Sequence, residues 1–386
     1  MSQKFIIPAD DLDRLLQEKC TSELRTGYIT VDGVCLPEYF QNFADRVENF
    51  EVRDDDIWVC SFPKTGTTWT QEMVWCLAND LDFERGKVIL QERFPFLELT
   101  SLWDYRNVIQ RRPDLVKPHE FIFDSFNFVN KLPSPRFIKT HLPFHLLPKE
   151  IRTGEKKPKI IYVSRNVKDT CVSYFHHCQL FEEFSGTFEE FCRLFLAGKV
   201  YFGSFWKHVS GFWERRMQGN MLFLQYEEMK ADLQSVIKET AKFLGKKELS
   251  ESEIKILEKH LSFTCMKANP AVNFEEIIEI QKRLKLTTNE GKFIRSGKVN
   301  QWKESMSKEM INRFDSWTED VPKGYKTCAQ RFKFDITQYE YMPITAFVYS
   351  TESGSELHDT EKKLYYPLRG KERTEVQKKL EHIMLM

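Results

Sequence analysis

One stretch of the chain passes from an apolar run to a helical pattern through a short polar loop. The run IWVCSF at 57–62 is typical of a buried β-strand, and TQEMVWCLAND at 70–80 has helical spacing. A strand that is followed at once by a helix is the unit from which parallel sheets are built. This stretch therefore constrains the fold more than any other part of the sequence.

Three more segments predict strands of the same sheet. They are short and rich in Ile, Val, Phe or Tyr: RFIKTH (136–141), KIIYVS (159–164) and MLFLQY (221–226). Helical patterns lie between and after them, so we expect an α/β fold with a central parallel sheet flanked by helices. Residues 1–50 are predicted as an extended lead-in with one short helix at 10–18.

The domain boundary is expected near residue 320. We predict a single domain over 1–320, followed by a C-terminal tail over 321–386 of unknown role. Segments of that tail, such as TESGSELHDTEKK and RGKERTEVQKKLEH, are polar and charged.

Composition excludes several classes of protein. Lys+Arg and Asp+Glu are both 57, so net charge gives no reason to expect a nucleic-acid partner. No window of 18 apolar residues exists and the N-terminus lacks a signal-peptide pattern, so neither a membrane span nor secretion is expected.

The nine scattered cysteines lack C-x-x-C spacing, which favours reduced thiols, a cytoplasmic location and no zinc site. Adjacent helical residues point in different directions, so the HHC run at 176–178 does not predict a metal site either.

The loop after the first strand has the chemistry of an anion site. Helix N-termini offer free N–H groups and positive potential, and glycine allows a ligand close to the backbone. Lysine adds a positive charge, the threonine hydroxyls can donate to phosphate oxygens, and the indole ring can stack on a purine. The residues that form this anion site are Lys64, Thr65, Gly66, Thr67, Thr68 and Trp69. The alternative is a turn with a capped helix. An ATP-binding P-loop is disfavoured, because here the lysine precedes the glycine.

The motif FPKTGTTW resembles the 5′-phosphosulfate loop of the cytosolic sulfotransferases. Further segments match that family in order, between about residue 27 and residue 317: FPFLE (94–98), KTHLP (139–143), YVSRNVKDTCVSYFHH (162–177) and MKANP (266–270). The resemblance implies a sulfonate donor, 3′-phosphoadenosine 5′-phosphosulfate (PAPS), with 3′,5′-diphosphoadenosine (PAP) as product and no metal. It also implies a small hydrophobic alcohol or phenol as acceptor.

The resemblance implies three further groups at the donor. Arg165 and Ser173 would bind the 3′-phosphate, together with Arg295, Ser296 and Gly297 of the segment RSGKVNQWK, and Phe202 and Phe263 would face the adenine. The chain departs from the family at several places in this part of the site, among them Asn300-Gln301, where Gly-Asp is usual. Ser296 stands where lysine is usual, Phe202 aligns with a tyrosine of V-S-Y-G-S, and Leu261 replaces a threonine. The loss of one cation predicts weaker binding of the 3′-phosphate, with partial substitution by Lys298 as the alternative.

The catalytic roles also follow from the resemblance. His141 would deprotonate the acceptor, Lys64 would stabilise the leaving phosphate oxygen, and Lys139 would support the transition state, with Phe96 in the acceptor pocket. Two other functions remain open from the residues: a binding protein without turnover, and a small-molecule kinase.

Two segments leave structural questions. The segment 97–133 is longer than the family usually has, and it is either a lid over a long acceptor or a surface excursion. The run KESMSKEMIN at 303–312 departs from the family's dimerisation motif, which argues against assuming the usual homodimer.

Overall fold

The computed structural model describes residues 5–6, 10–111, 119–287 and 289–321. The predicted tail thus lies almost entirely outside the described residues. None of the described helices is long and apolar enough to cross a membrane.

The N-terminal region is more ordered than the sequence predicted. The expected short helix is present as α1 (Asp11–Cys20), and three strands form a small antiparallel sheet: β1 (Phe5–Ile6), β2 (Tyr28–Val31) and β3 (Val34–Pro37). The turn between β2 and β3 is Asp32-Gly33, and both residues have positive φ, 48° and 81°. Asp-Gly between two apolar runs is a strong hairpin signal, and it could have been recognised in the sequence.

The four predicted strands form the central sheet, which confirms the α/β fold. They are β4 (Ile57–Cys60), β5 (Phe137–Thr140), β6 (Lys159–Ser164) and β7 (Met221–Gln225), all parallel, in the spatial order β5-β4-β6-β7. Their carboxyl ends lie at one edge, where ligands bind in sheets of this kind. The residues that directly follow the strands are therefore brought together there.

The sheet is buried on both faces. Along β4, Trp58 and Cys60 pack in one hydrophobic cluster, whereas Ile57 and Val59 pack in another. Successive strand residues point to opposite faces, so the continuous apolar run in the sequence reflects two covered faces.

Helices cover both faces of the central sheet. After α1 the described α-helices are α2 (Ala44–Glu48), α3 (Thr67–Ala78), α4 (Leu90–Arg93), α5 (Leu99–Leu102), α6 (Arg106–Arg111), α7 (Glu120–Phe123), α8 (Ser125–Lys131), α9 (Lys149–Thr153), α10 (Val167–Phe181), α11 (Phe188–Leu196), α12 (Phe205–Trp213), α13 (Tyr226–Ala231), α14 (Leu233–Leu244), α15 (Glu251–His260), α16 (Phe263–Ala268), α17 (Glu275–Arg283), α18 (Trp302–Ser305) and α19 (Lys308–Glu319). Short 3-10 helices span Glu38–Asn42, Arg85–Lys87 and Phe144–Leu146. The capping box predicted at Ser250 and Glu253 opens α15.

Candidate active site

The loop between β4 and α3 has a backbone that only particular residues allow. Lys64 and Gly66 both have positive φ, 69° and 111°. A Cβ atom at Gly66 would lie 2.8 Å from the ring of Tyr226, so glycine is required both for its conformation and for its small size. This turn places the N-terminus of the twelve-residue helix α3 at the carboxyl edge of the sheet.

The threonines of the loop have different roles. The hydroxyl of Thr65 is fully buried and lies 2.8 Å from the carbonyl oxygens of both Phe62 and Val163, so it joins the loop to β6. This corrects the expectation that its hydroxyl donates to a phosphate. Thr67 and Thr68 do line the adjacent cavity.

A single cavity of about 340 Å³ runs beside this loop. It brings together nearly all of the site residues predicted from the sequence. Those that line it are Lys64, Gly66, Thr67, Thr68, Trp69, Phe96, Lys139, His141, Arg165, Ser173, Phe263, Arg295, Ser296 and Gly297. Thr65 and Phe202 are the two that do not.

His141 is held in one orientation from several sides. Its Nδ1 lies 2.8 Å from the carbonyl oxygen of Ser61, and only a protonated Nδ1 can donate to a carbonyl. The lone pair is therefore on Nε2. Burial, reinforced by the charge of Lys139, holds the pKa of His141 well below its usual range, so the ring is neutral at neutral pH. A neutral imidazole with a free Nε2 is in the form that a general base requires.

The backbone of His141 is fixed by two buried side chains that the sequence did not single out. Glu98 accepts a hydrogen bond of 2.7 Å from the His141 amide. His208 donates from Nε2 to the His141 carbonyl oxygen at 2.8 Å, and the Tyr162 hydroxyl lies 2.9 Å from its Nδ1. These contacts place the ring without touching the cavity.

Two lysines flank His141 in poorly solvated positions. Burial lowers the pKa of Lys64 to about 7, and the charges of Lys139, Arg165 and Arg295 act in the same direction. Burial also lowers the pKa of Lys139 to about 8, opposed by the carboxylate of Glu98. Such clustered cations stabilise a bound anion strongly, because little water competes with them.

A second cationic group lies at the end of β6. Arg165 is buried, donates from Nη2 to the Lys298 carbonyl oxygen at 2.8 Å, and lies 3.7 Å from Asp169. Its Nε has no hydrogen-bond partner within the described ranges. Asp169 in turn accepts from the backbone amide of Asn300 at 2.7 Å, so the segment 295–303 is tied to α10.

The segment 295–303 is held by contacts with Gln301 and Phe263. Arg295 and Ser296 both donate to Oε1 of Gln301, at 2.7 and 2.6 Å. Gly297 has φ of 60°, and a Cβ atom there would lie 2.5 Å from the Phe263 ring. The loop can therefore reach the cavity because Gly297 fits against Phe263.

Aromatic rings line the cavity beside the loop, but Phe202 is not among them. Trp69 donates from Nε1 to the Leu261 carbonyl oxygen at 2.9 Å, and its ring packs edge-on against Tyr226 at 5.5 Å between centroids. Phe202 is buried with its ring 5.6 Å from His141. Phe202 is thus not part of the cavity lining, whereas Tyr226 is, and the Tyr226 ring accompanies Trp69. Its place directly after β7 was a signal that the sequence offered.

The other end of the cavity is mostly apolar. Its walls come from α5 to α7, from the end of α10 and from α17, and they include Leu99, Trp103, Phe121, Ile122, Phe181, Ile280, Leu284 and Phe293. The long segment 97–133 thus contributes cavity wall, so it is more than a surface excursion. Its residues 112–118 lie outside the described part.

The sequence comparisons identify this constellation. The model of the sulfotransferase domain matches residues 54–330. The luciferin sulfotransferase of Photinus pyralis is 48% identical over 323 residues, which are 83% of this chain and 86% of that protein. The chain belongs to the sulfotransferase family.

Other relatives agree with this membership. Sulfotransferase 1 family member D1 of Rattus norvegicus is 33% identical over 315 residues, 81% of this chain and 97% of that protein. Among solved structures, retinol dehydratase in complex with retinol and PAP has a TM-score of 0.74 and 29% identity, covering 83% of this chain and 96% of that one. The protein is thus a PAPS-dependent sulfotransferase, which sets aside the kinase and the binding protein without turnover.

One group of possible metal ligands lies in the described part of the sulfotransferase. Side-chain atoms of Glu72, Cys76 and His260 lie within 4.8 Å of one another. However, Glu72 already pairs with Arg93, and His260 Nε2 lies 2.6 Å from its other oxygen. This contact joins α3 to α15 and accounts for the group without an ion.

Proposed function

We propose that this sulfotransferase transfers the sulfonate group of PAPS to the hydroxyl group of a small hydrophobic alcohol or phenol. One observation carries the proposal: a neutral His141 lies between an apolar cavity end and a loop of anion-binding residues. Relatives fit this acceptor class, since retinol dehydratase has been crystallised with retinol and with androsterone, both alcohols.

His141 is the proposed base. Nε2 accepts the proton of the acceptor hydroxyl while the new O–S bond forms and the bond from sulfur to the 5′-phosphate oxygen breaks. Its Nδ1–H remains bonded to Ser61, which stabilises the imidazolium that results. Negative charge moves to the leaving phosphate oxygen, so cations are needed on that side.

Lys64 and Lys139 are proposed to supply those cations. Lys64 is the first residue of the loop that would hold the 5′-phosphate, and it would stabilise the leaving oxygen. Lys139 lies in β5 two residues before His141, which follows the strand, and both side chains line the cavity. Its position beside the base suits the transferring sulfonate.

The donor is proposed to bind along the loops at the edge of the sheet. The N-terminus of α3, with Thr67 and Thr68, would hold the 5′-phosphate. Arg165, Ser173 and Arg295 would bind the 3′-phosphate, and their place in the cavity lining supports this role. Trp69, Tyr226 and Phe263 would enclose the adenine.

A turnover screen tests the acceptor class. The protein is supplied with PAPS and with phenols, steroid alcohols, retinoids, luciferin, aliphatic alcohols and, for contrast, amines, and release of PAP is measured. Turnover with hydrophobic alcohols or phenols, lost in His141→Ala and kept in the matched His176→Ala variant, supports the proposal. Turnover restricted to amines would contradict the proposal, because a protonated amine requires a polar or charged cavity wall and not an apolar one.

Calorimetry tests the donor site. PAP should bind well ahead of AMP or ATP, because two anion sites act on it together. Equal affinity for AMP would remove the case for a 3′-phosphate site.

The proposed location is the cytoplasm. The eight cysteines of the described residues are all free, and the Sγ atoms of Cys171 and Cys192 lie 3.8 Å apart without a bond. Reduced thiols at this distance favour a reducing compartment. Cell fractionation would test it, and recovery in a secreted fraction would contradict it.

A further inference from the structure

The two lysines of the proposed catalytic site have no anionic partner in the described part of the chain. Lys64 and Lys139 both line the cavity and are half-buried. Among the described residues, neither forms an ion pair or a side-chain hydrogen bond. Poorly solvated cations are usually paired, so a lysine without such a partner favours any other group of negative potential.

Each of the two ammonium groups lies over an aromatic ring instead. Nζ of Lys64 lies 3.8 Å from the centroid of the Phe293 ring, and Nζ of Lys139 lies 4.0 Å from the centroid of the Phe96 ring. The face of an aromatic ring has negative potential and attracts a cation within about 6 Å of the centroid. At the observed distances the charged nitrogen is in direct contact with the ring.

A ring differs from a carboxylate as the partner of a lysine that must bind an anion. Lys168 has both kinds of partner, since its Nζ lies 4.2 Å from the centroid of the Trp302 ring and also pairs with Asp315. A carboxylate neutralises the cation and repels an incoming phosphate, whereas a ring holds the cation without changing the net charge. The rings therefore leave Lys64 and Lys139 with their full charge for the donor.

The Phe293 ring is itself fixed by neighbouring rings. Its centroid lies 4.4 Å from that of Phe274 and 5.9 Å from that of Phe181. Phe293 lines the cavity in the connection between α17 and α18, two residues before Arg295. The ring thus lies where the apolar end of the cavity meets the anion-binding loop.

We propose that Phe293 is a positioning residue, whose ring face holds the ammonium group of Lys64 in the place from which it acts on the donor. The ring contacts one side of the ammonium group and leaves the other side for a phosphate oxygen, so the contact persists when the donor binds. Phe96 has the same relation to Lys139. The inference rests on the proposed function, since it concerns the proposed role of Lys64.

Fluorinated phenylalanines at position 293 test the contact at nearly constant shape. Fluorine withdraws electrons from the ring, so the negative potential of the face decreases from phenylalanine through 4-fluorophenylalanine and 3,4,5-trifluorophenylalanine to pentafluorophenylalanine. Each is introduced into the full-length protein in turn. The dissociation constant of PAP is then measured by calorimetry at about pH 8 and at about pH 6.

The expected loss of affinity depends on pH. The ring favours the charged form of Lys64, whose pKa burial lowers to about 7. At about pH 8 the lysine of the free protein is mostly neutral, so added fluorine should progressively weaken PAP binding, by roughly 5- to 30-fold in all. At about pH 6 the ring has less influence on the charge, so the loss should be several-fold smaller. The charged and titratable groups around Lys64 are the same in every variant: Lys139, Arg165, His177, Cys178 and Arg295.

Two controls separate the contact from packing. The same fluorinated residues at Phe181 should change PAP affinity little, because this ring lines the same cavity and no described cation lies over it. Lys64→Met removes the charge and keeps an unbranched side chain. In that variant the fluorinated residues at position 293 should have no graded effect on PAP affinity.

The outcomes separate this inference from the proposed function. Equal losses at the two pH values, or a graded loss that persists in Lys64→Met, would overturn the inference, because either would reflect altered packing. An unchanged affinity across the fluorinated series would overturn it as well, and so would tighter binding, which would mean that the lysine leaves the ring when PAP binds. Absence of turnover with every alcohol and phenol of the screen would instead overturn the proposed function, and it would not alter these binding measurements.

Discussion

The low pKa of Lys64 makes donor binding sensitive to pH. Burial and three neighbouring cations lower this pKa to about 7, so the free protein loses the Lys64 charge as the pH rises above neutrality. A bound diphosphate restores the charge, because an adjacent anion favours the ammonium form. PAP should therefore bind with uptake of a proton, and its affinity should fall as the pH increases.

The size of the effect follows from one-proton linkage. If only the charged form of Lys64 binds, the dissociation constant increases in proportion to one plus the ratio of neutral to charged lysine. With a pKa of about 7, the affinity falls about 25-fold between about pH 7.5 and about pH 9, where the phosphates of PAP are fully ionised. Lys139 has a pKa of about 8 but lies beside His141. We therefore expect it to contribute less to the binding of PAP than to the binding of PAPS.

Calorimetry in buffers of different ionisation enthalpy measures both the affinity and the protons taken up. The control is Lys64→Arg, because arginine stays charged throughout this range. That variant should bind PAP with little dependence on pH. A flat pH profile in the wild-type protein, or the same slope in Lys64→Arg, would refute the assignment of the proton to Lys64.

Three further changes test other parts of the site. His141→Ala should lower turnover by roughly 10²–10⁴-fold through loss of the base and leave PAP affinity nearly intact; retained turnover in a folded variant would exclude His141 as the base. Ser296→Lys should tighten PAP binding several-fold, mainly at low salt, although it removes the hydrogen bond to Gln301. Titration with PAP at two ionic strengths measures the affinity. An unchanged affinity would mean that another cation already contacts the 3′-phosphate. Gly297→Ala should weaken PAP binding by about fivefold or more, since it adds left-handed strain of about 1 kcal/mol and a contact with Phe263. Gly154→Ala, at φ of 75° and with open space around it, is the matched control, and an equal loss there would point to general destabilisation.

The polar tail and the oligomeric state stay predictions. The tail begins where the described residues end, apart from Val321, which is buried. The run 303–312 contains the start of α19, capped by Ser307. Departure from the usual dimerisation motif still argues against assuming the common homodimer.

The sequence by itself determined the central sheet and most of the donor site. Short apolar strands that alternate with helices admit few arrangements, and a parallel sheet collects the residues after each strand at one edge. Lys64, His141 and Arg165 could therefore be located from their places relative to β4, β5 and β6. Local conformation was also readable at Gly66, because a tight approach to the backbone requires glycine.

Only the tertiary structure decided which side chains face the cavity. Thr65 and Thr67 are two residues apart in one motif, yet the first is bonded to Val163 of a neighbouring strand. Phe202 and Tyr226 are both aromatic residues near a motif, but the long-range packing of α12 and β7 places one behind His141 and the other beside Trp69. Such choices depend on contacts between residues far apart in the chain, and no local pattern records them.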